Sequence, residues 1–129
     1  MRTDYLIVFL GGGIGSACRH GVNLLSARWF GGEWPAGTLT INVLGSLLMG
    51  MIAAYAMSRG SLSPHLKLLL MTGLLGGFTT FSAFSLEIVQ LFQRGQTASA
   101  VAYATLSVLA GVAAILLGMW LTQQVISRH

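Results

Sequence analysis

Residues 73–87 read Gly-Leu-Leu-Gly-Gly-Phe-Thr-Thr-Phe-Ser-Ala-Phe-Ser-Leu-Glu and interrupt an otherwise apolar segment. The apolar run of residues 66–75 stops at Gly76-Gly77 and Thr79-Thr80, and a second run starts at Phe81. In water this pattern would indicate a loop between two short helices. In a membrane, non-helical backbone persists only where it is buried in protein or lines a polar cavity, and an interrupted helix indicates an ion or substrate site. The meaning of residues 73–87 therefore depends on whether the chain spans a membrane.

The composition favours a membrane protein. The chain has 129 residues, of which 54% are hydrophobic and 8% charged, whereas a globular domain carries about a quarter charged residues. The net charge of +4 is spread thinly, and without a basic cluster it argues against a nucleic-acid partner. With Cys18 as the single cysteine, no internal disulfide can form.

Four segments have the roughly 20 mostly apolar residues that a membrane-spanning helix needs. Short polar or turn-like separators divide them, at residues 28–36, 58–64 and 93–96. We therefore predict an all-α integral membrane protein with one four-helix domain, residues 1–129, whose third helix is broken near the midplane. The predicted spans are residues 5–25, 38–57, 66–92 and 97–125.

The lysine and arginine residues give only a weak preference for one orientation. Four lie on the side of the two termini, against two or three on the other side, and this bias normally sets orientation. Two interpretations remain open: an ordinary inner-membrane protein with a mild preference, or dual topology, in which copies insert both ways and pair antiparallel. The first group is Arg2, Arg59, Lys67 and Arg128; the second is Arg28, Arg94 and, at a helix end, Arg19.

Polar residues inside the spans are the candidates for function. Thr38 and Asn42 are four residues apart and share a helix face; the amide either bonds a neighbouring helix or donates into a polar path. Arg19 either snorkels to the interface or draws anions into a vestibule. Glu87 is the only acid well inside the apolar sequence, and a functional site, a salt partner and a vestibule position are all open for it.

The interruption contains groups that could bind a cation and groups that could bind an anion. If the helix stops near Gly76-Gly77, its last carbonyls lose their intrahelical donors and can bind a cation. Hydroxyls of Thr79-Thr80 would cap the restart. Phe81 and Phe84 share a face, which is usually packing. However, an aromatic ring has a positive edge, and two rings edge-on could line an anion path.

The chain has a long motif at residues 72–87, the pattern Gly37-Thr38-Leu39-x-x-Asn42-x-x-Gly45 and a glycine-rich first helix that carries Arg19. With these features it resembles the bacterial fluoride channel family (Fluc/CrcB). The resemblance runs nearly end to end. It implies an antiparallel dual-topology homodimer in the bacterial inner membrane, with two passive fluoride pathways that protect the cell from fluoride toxicity.

The resemblance also implies roles for individual residues. Phe81, Phe84 and Asn42 would line the pathway, and Arg19 would lie in the vestibule. Backbone carbonyls of two residues would hold a structural sodium ion between subunits: Gly76 and Thr79. Further donors to dehydrated fluoride would be Thr80, Ser82, Thr38 and Ser107.

Two departures and two alternatives accompany this resemblance. Ala83 stands where the family usually has threonine. The family also tends to carry a row of polar residues on its fourth helix, and at the matching positions of this chain only Ser107 is polar, since Gly111 and Ile115 follow. The chain could therefore be a non-conducting subunit of a heterodimer. The other alternative is a small dual-topology multidrug exporter, although such exporters usually need a glutamate in helix 1. An enzyme is not indicated, because no nucleophile–base set is present.

Overall fold

The computed structural model describes residues 1–59 and 62–129, and every regular element in these two ranges is helical. The predicted turn at residues 58–64 includes residues 60 and 61, which lie outside the described ranges. The elements are α1 (Arg2–Phe30), α2 (Ala36–Arg59), α3 (residues 64–78, made of Pro64–Lys67, the π-helical Leu68–Leu75 and Gly76–Phe78), α4 (Ser82–Gln93) and α5 (Thr97–Ser127).

Local sequence signals explain where the helices end. Gly31 follows α1 with φ of 74° and Gly95 follows α4 with φ of 77°, a left-handed conformation that glycine adopts without a Cβ penalty. At the start of α3 the Ser63 hydroxyl accepts a hydrogen bond from the Leu66 N–H at 3.1 Å, and Pro64 occupies the first helical position, where no N–H is needed. The connections at residues 31–35 and 94–96 are consequently short.

Three helical segments of the described chain are long and apolar enough to cross a membrane: Ala36–Ser58, Pro64–Gln93 and Thr97–Ser127. The fourth predicted span lies in α1, which has 29 residues but is less apolar, because its second half carries Arg19, His20 and Asn23. Many large apolar side chains on α1 and α5 are exposed, which a lipid environment accommodates. The chain is an α-helical, multi-pass membrane protein.

Glycines set how closely the helices approach. α1 packs mainly against α3, and α2 mainly against α5. A Cβ added at Gly77 would lie 2.5 Å from the Gly12 carbonyl oxygen, and one at Gly11 would lie 3.1 Å from the Gly73 Cα. Small residues of α1 and α3 therefore face each other and permit close backbone contact.

The second half-helix, α4, is anchored differently from the first. It packs against α5, where Leu91, Ala100 and Tyr103 form a buried cluster. Phe84 and Ile88 of α4 pack on this cluster. The interruption between α3 and α4 thus lies where the chain passes from the α1 side of the molecule to the α5 side.

Candidate functional site

The helical interruption begins after Phe78 and not at Gly76-Gly77, where the glycines led us to expect it. Gly76 keeps helical dihedrals, with φ of −62° and ψ of −37°, whereas Thr79 is extended, with φ of −77° and ψ of 158°. The Thr79 N–H and hydroxyl both donate to the Leu75 carbonyl, at 3.0 and 2.9 Å. The extended residue 79 therefore turns the chain out of α3, while the glycines serve packing against α1.

Asn42 of α2 clamps the backbone of the interruption. Its Oδ1 accepts a hydrogen bond from the Thr80 N–H at 2.9 Å, and its Nδ2 donates to the Thr80 carbonyl at 3.0 Å. Thr80 is 8% exposed, so its backbone groups need such partners. Of the two explanations left open for Asn42, the structure shows the interhelical hydrogen bonds.

The clamp changes the carbonyl groups at the end of α3. In an uninterrupted α-helix the Thr80 N–H would donate to the Gly76 carbonyl, but here it donates to Asn42. Further along, the Gly77 carbonyl accepts a hydrogen bond from the Ser16 hydroxyl at 3.4 Å, and the Thr79 carbonyl accepts one from Arg19 Nη1 at 3.5 Å. Gly76 is itself exposed, with no atom closer than 3.5 Å to where its Cβ would lie. The end of α3 is therefore a carbonyl-rich, negative helix terminus that already attracts a cation.

Hydroxyl groups organise the restart of the helix. Thr80 Oγ1 accepts a hydrogen bond from the Ala83 N–H at 3.2 Å and lies 3.5 Å from Ser82 Oγ. The Ser85 hydroxyl donates to the Phe81 carbonyl at 2.9 Å. The predicted capping of the second half by a threonine hydroxyl is thereby confirmed for Thr80.

A row of four aromatic rings runs from the interruption toward the connection between α1 and α2. The ring centroids of Phe81 and Phe84 are 5.8 Å apart, those of Phe84 and Tyr103 are 5.2 Å apart at 78°, and those of Tyr103 and Trp34 are 5.5 Å apart. Phe81 is 79% exposed and borders an open cavity of about 320 Å³, which Asn42 and Ile115 also line. One end of the row is consequently open at the surface of the single subunit.

Glu87 lies beside this row and accepts two hydrogen bonds from hydroxyl groups. Thr38 Oγ1 donates to Oε1 at 2.5 Å, and the Tyr103 hydroxyl donates to Oε2 at 3.1 Å. Thr38 is 4% exposed and Tyr103 is fully buried. Glu87, Thr38 and Trp34 also line a second cavity, of about 270 Å³. Of the three interpretations of Glu87, a salt partner finds no support in these contacts, since both donors are hydroxyls.

The remaining predicted residue, Ser107 of α5, has an unusual environment. Its Oγ is buried and has no hydrogen-bond partner within the described chain. A Cβ built at Gly111 would make an ordinary contact of 3.7 Å with Ser46 Oγ, and Ile115 lines the cavity beside Phe81. Of the residues at positions 107, 111 and 115 on this helix, Ser107 is therefore the polar one, and its buried hydroxyl has no partner among the described residues.

Sequence reasoning gave no role to two aromatic residues that complete the site. These residues are Trp34, in the connection between α1 and α2, and Tyr103 of α5. The available signal was that Tyr103 is the only tyrosine in α5, a helix made mostly of Ala, Leu, Val and Gly. A buried hydroxyl needs a partner, and Glu87 is the polar side chain that meets it.

Comparisons with known proteins agree with one another. A model of the family described as CrcB-like protein, Camphor Resistance (CrcB), matches residues 6–119. The "Fluoride-specific ion channel FluC" of Granulibacter bethesdensis (strain ATCC BAA-1260 / CGDNIH1) is 51% identical over 123 residues, covering 95% of this chain and 97% of the relative.

Two further relatives show the same extent of similarity. The "Fluoride-specific ion channel FluC 2" of Nitrobacter hamburgensis (strain DSM 10229 / NCIMB 13809 / X14) is 48% identical over 93% of this chain and 97% of the relative. The "Fluoride-specific ion channel FluC" of Methylobacterium sp. (strain 4-46) is 54% identical over 85% of this chain and 88% of the relative.

Proposed function

This chain belongs to the CrcB family, and on that basis we propose that it is a fluoride-specific ion channel and not an enzyme. The relatives named as fluoride channels cover nearly its whole length. We propose that the transport is passive and that it exports fluoride across the bacterial inner membrane. Fluoride enters acidified cells as neutral HF and dissociates inside, so a channel for the anion protects the cell.

The proposed assembly is an antiparallel dual-topology homodimer of four-span subunits, with the break of the third span near the midplane. Three observations support it. The charge bias between the two sides is weak, Phe81 is largely exposed, and Gly76 is exposed at the end of α3. A second copy that covers Phe81 and the adjoining cavity would enclose a path between subunits.

The proposed pathway replaces the hydration shell of fluoride with donors from the protein. Edges of the Phe81 and Phe84 rings carry partial positive charge, and the hydroxyls of Ser82, Thr80 and Thr38 add hydrogen-bond donors. The unpartnered Oγ of Ser107 suits the same path. This last hydroxyl has no competing partner among the described residues of the subunit, but it is buried, so the surrounding side chains would have to move before the anion could reach it.

Other predicted donors are partly occupied. Asn42 uses one amide hydrogen and its carbonyl oxygen in hydrogen bonds with the Thr80 backbone. One N–H remains to donate to the anion. Thr38 and Tyr103 donate to Glu87, so a fluoride ion reaching either hydroxyl would have to replace the carboxylate. Arg19 would supply the positive charge of the vestibule.

We assign the structural sodium ion to the carbonyls of Gly76 and Thr79, four oxygens arising from two subunits. The residues fit such an ion, since the Gly76 carbonyl has lost its α-helical donor to Asn42 and the Thr79 carbonyl already accepts from a cationic guanidinium. Bound sodium would neutralise the facing negative helix termini.

Fluoride efflux from loaded liposomes, followed with a fluoride electrode, tests the function. The reconstituted protein should release fluoride and retain chloride. Release of chloride at a similar rate, or no release of fluoride, would overturn the proposal.

The aromatic pathway has its own test in the same assay. Phe81→Ile and Phe84→Ile should each reduce fluoride efflux at least tenfold while leaving the dimer intact, because isoleucine has no positive ring edge. Phe9→Ile is the matched control, since Phe9 is exposed on α1 away from the interruption. Unchanged efflux in both pathway variants would refute the role of the rings.

A further inference from the structure

Arg19 carries a positive charge, is half-buried and forms a hydrogen bond with the backbone oxygen of Thr79. Its Nη1 donates to the Thr79 carbonyl at 3.5 Å. Among the described residues the ion pairs join Asp4 to the Met1 amine and to His65, and Arg19 takes part in none. The guanidinium is therefore balanced by the negative end of α3 and not by a carboxylate.

The oxygen that Arg19 occupies is one of the two proposed sodium ligands. Two unit positive charges at the same oxygen repel strongly. Each cation satisfies the same need, since α3 ends in carbonyls without helical donors. Guanidinium and sodium are consequently alternative occupants of this helix terminus.

We propose that Arg19 is a built-in competitor for the sodium site, which holds the Thr79 carbonyl in the single subunit and releases it when sodium binds between two subunits. The released guanidinium then lies free beside the interruption, where its charge attracts the anion. Assembly around sodium thus delivers a positive charge to the vestibule. This inference rests on the proposed sodium site and assigns Arg19 a positioning role in addition to its vestibule role.

Competition by Arg19 lowers the apparent affinity of the proposed site for sodium. A sodium site that is open only when Arg19 has left the Thr79 carbonyl has a lower apparent affinity for sodium. The affinity is reduced in proportion to the fraction of time for which that carbonyl is free. If Arg19 occupies the carbonyl about nine-tenths of the time, its removal strengthens apparent sodium binding about tenfold. The same removal leaves the end of α3 without a cation when sodium is absent.

The test measures dimer formation and thermal unfolding of the purified protein against sodium concentration, with choline replacing sodium at constant ionic strength. Arg19→Gln should lower the half-saturating sodium concentration about tenfold. It should also lower the unfolding temperature in choline, and the difference from wild type should vanish in saturating sodium. Arg28→Gln is the matched control, because it removes the same charge from an exposed position at the end of α1; the half-saturating sodium concentration should not change, and any change in the unfolding temperature should be the same with and without sodium.

A second variant guards against failure of the first to fold. Arg19→Lys keeps the charge on a shorter side chain with a different donor geometry, and it should shift half-saturation in the same direction by a smaller factor. Equal half-saturation in wild type and the Arg19 variants would overturn the exchange and leave the sodium site standing. Absence of any sodium dependence in the wild-type protein would overturn both the exchange and the sodium site.

Discussion

Replacing Asn42 by alanine would remove the clamp on the helical interruption. Two hydrogen bonds to Thr80 would be lost, at 2.9 and 3.0 Å, and each is worth about 1 kcal/mol net, with about 1–3 kcal/mol for a buried group left unpaired. The cavity of about 320 Å³ beside Asn42 and Thr80 lets water reach part of the gap. We therefore expect the free energy of unfolding to fall by about 2–3 kcal/mol.

The assay pairs stability with transport. Reversible unfolding in mixed detergent gives the free energy, and liposomes carrying the refolded variant give the fluoride efflux. Asn23→Ala is the control, because Asn23 is an exposed asparagine near the end of α1, and its change should alter the unfolding free energy by less than about 0.5 kcal/mol.

The two roles of Asn42 predict different results. A clamp predicts that stability and efflux fall together, since the backbone of Thr80 loses its position. A pure anion ligand predicts that efflux falls while the free energy of unfolding stays at its wild-type value. The second result would refute the reasoning from the two hydrogen bonds.

Two other substitutions test the packing and the carboxylate contacts. Tyr103→Phe keeps the ring stack but removes the hydroxyl donor to Glu87, so the free energy of unfolding should fall by about 1.5 kcal/mol; Tyr55→Phe, at a more exposed tyrosine, should have no effect, and equal changes in the two would contradict the buried contact. Gly15→Ala would place a Cβ against the backbone of α3 and should destabilise the protein by about 1–3 kcal/mol. Gly13→Ala meets no atom within 4 Å and should stabilise α1 by up to about 1 kcal/mol; an equal loss at both positions would argue against the close helix contact.

The sequence predicted the approximate placement of the three long apolar helical segments, Ala36–Ser58, Pro64–Gln93 and Thr97–Ser127, because a run of about 20 apolar residues has few other stable forms. It predicted that the helix would stop near Gly76-Gly77 and restart near Thr79-Thr80, whereas the helix continues to Phe78 and starts again at Ser82. Gly76-Gly77 look like helix breakers, yet Gly77 is required for contact with Gly12. The chain leaves the helix at Thr79, where Asn42 captures the next N–H.

The partners of the polar residues were beyond sequence reasoning. Periodicity shows which face a residue occupies but not what that face meets. Asn42 and Thr38 share a face, yet Asn42 bonds the backbone of Thr80, whereas Thr38 bonds the Glu87 side chain. Arg19 reaches a carbonyl that lies 60 positions away in the chain. These pairings follow from how α1 and α2 pack on the interrupted segment.

The short connections at residues 31–35 and 94–96 bear on the speed of transport. Both contain a glycine in a left-handed conformation, and residues of both border the cavity of about 270 Å³ beside Glu87. Segments of this length cannot swing across an opening as a long lid does. This end of the subunit is therefore bordered by short, fixed connections. On the proposed pathway, ions would be selected deeper in the structure, at the aromatic row, and the rate of transport should not depend on loop motion.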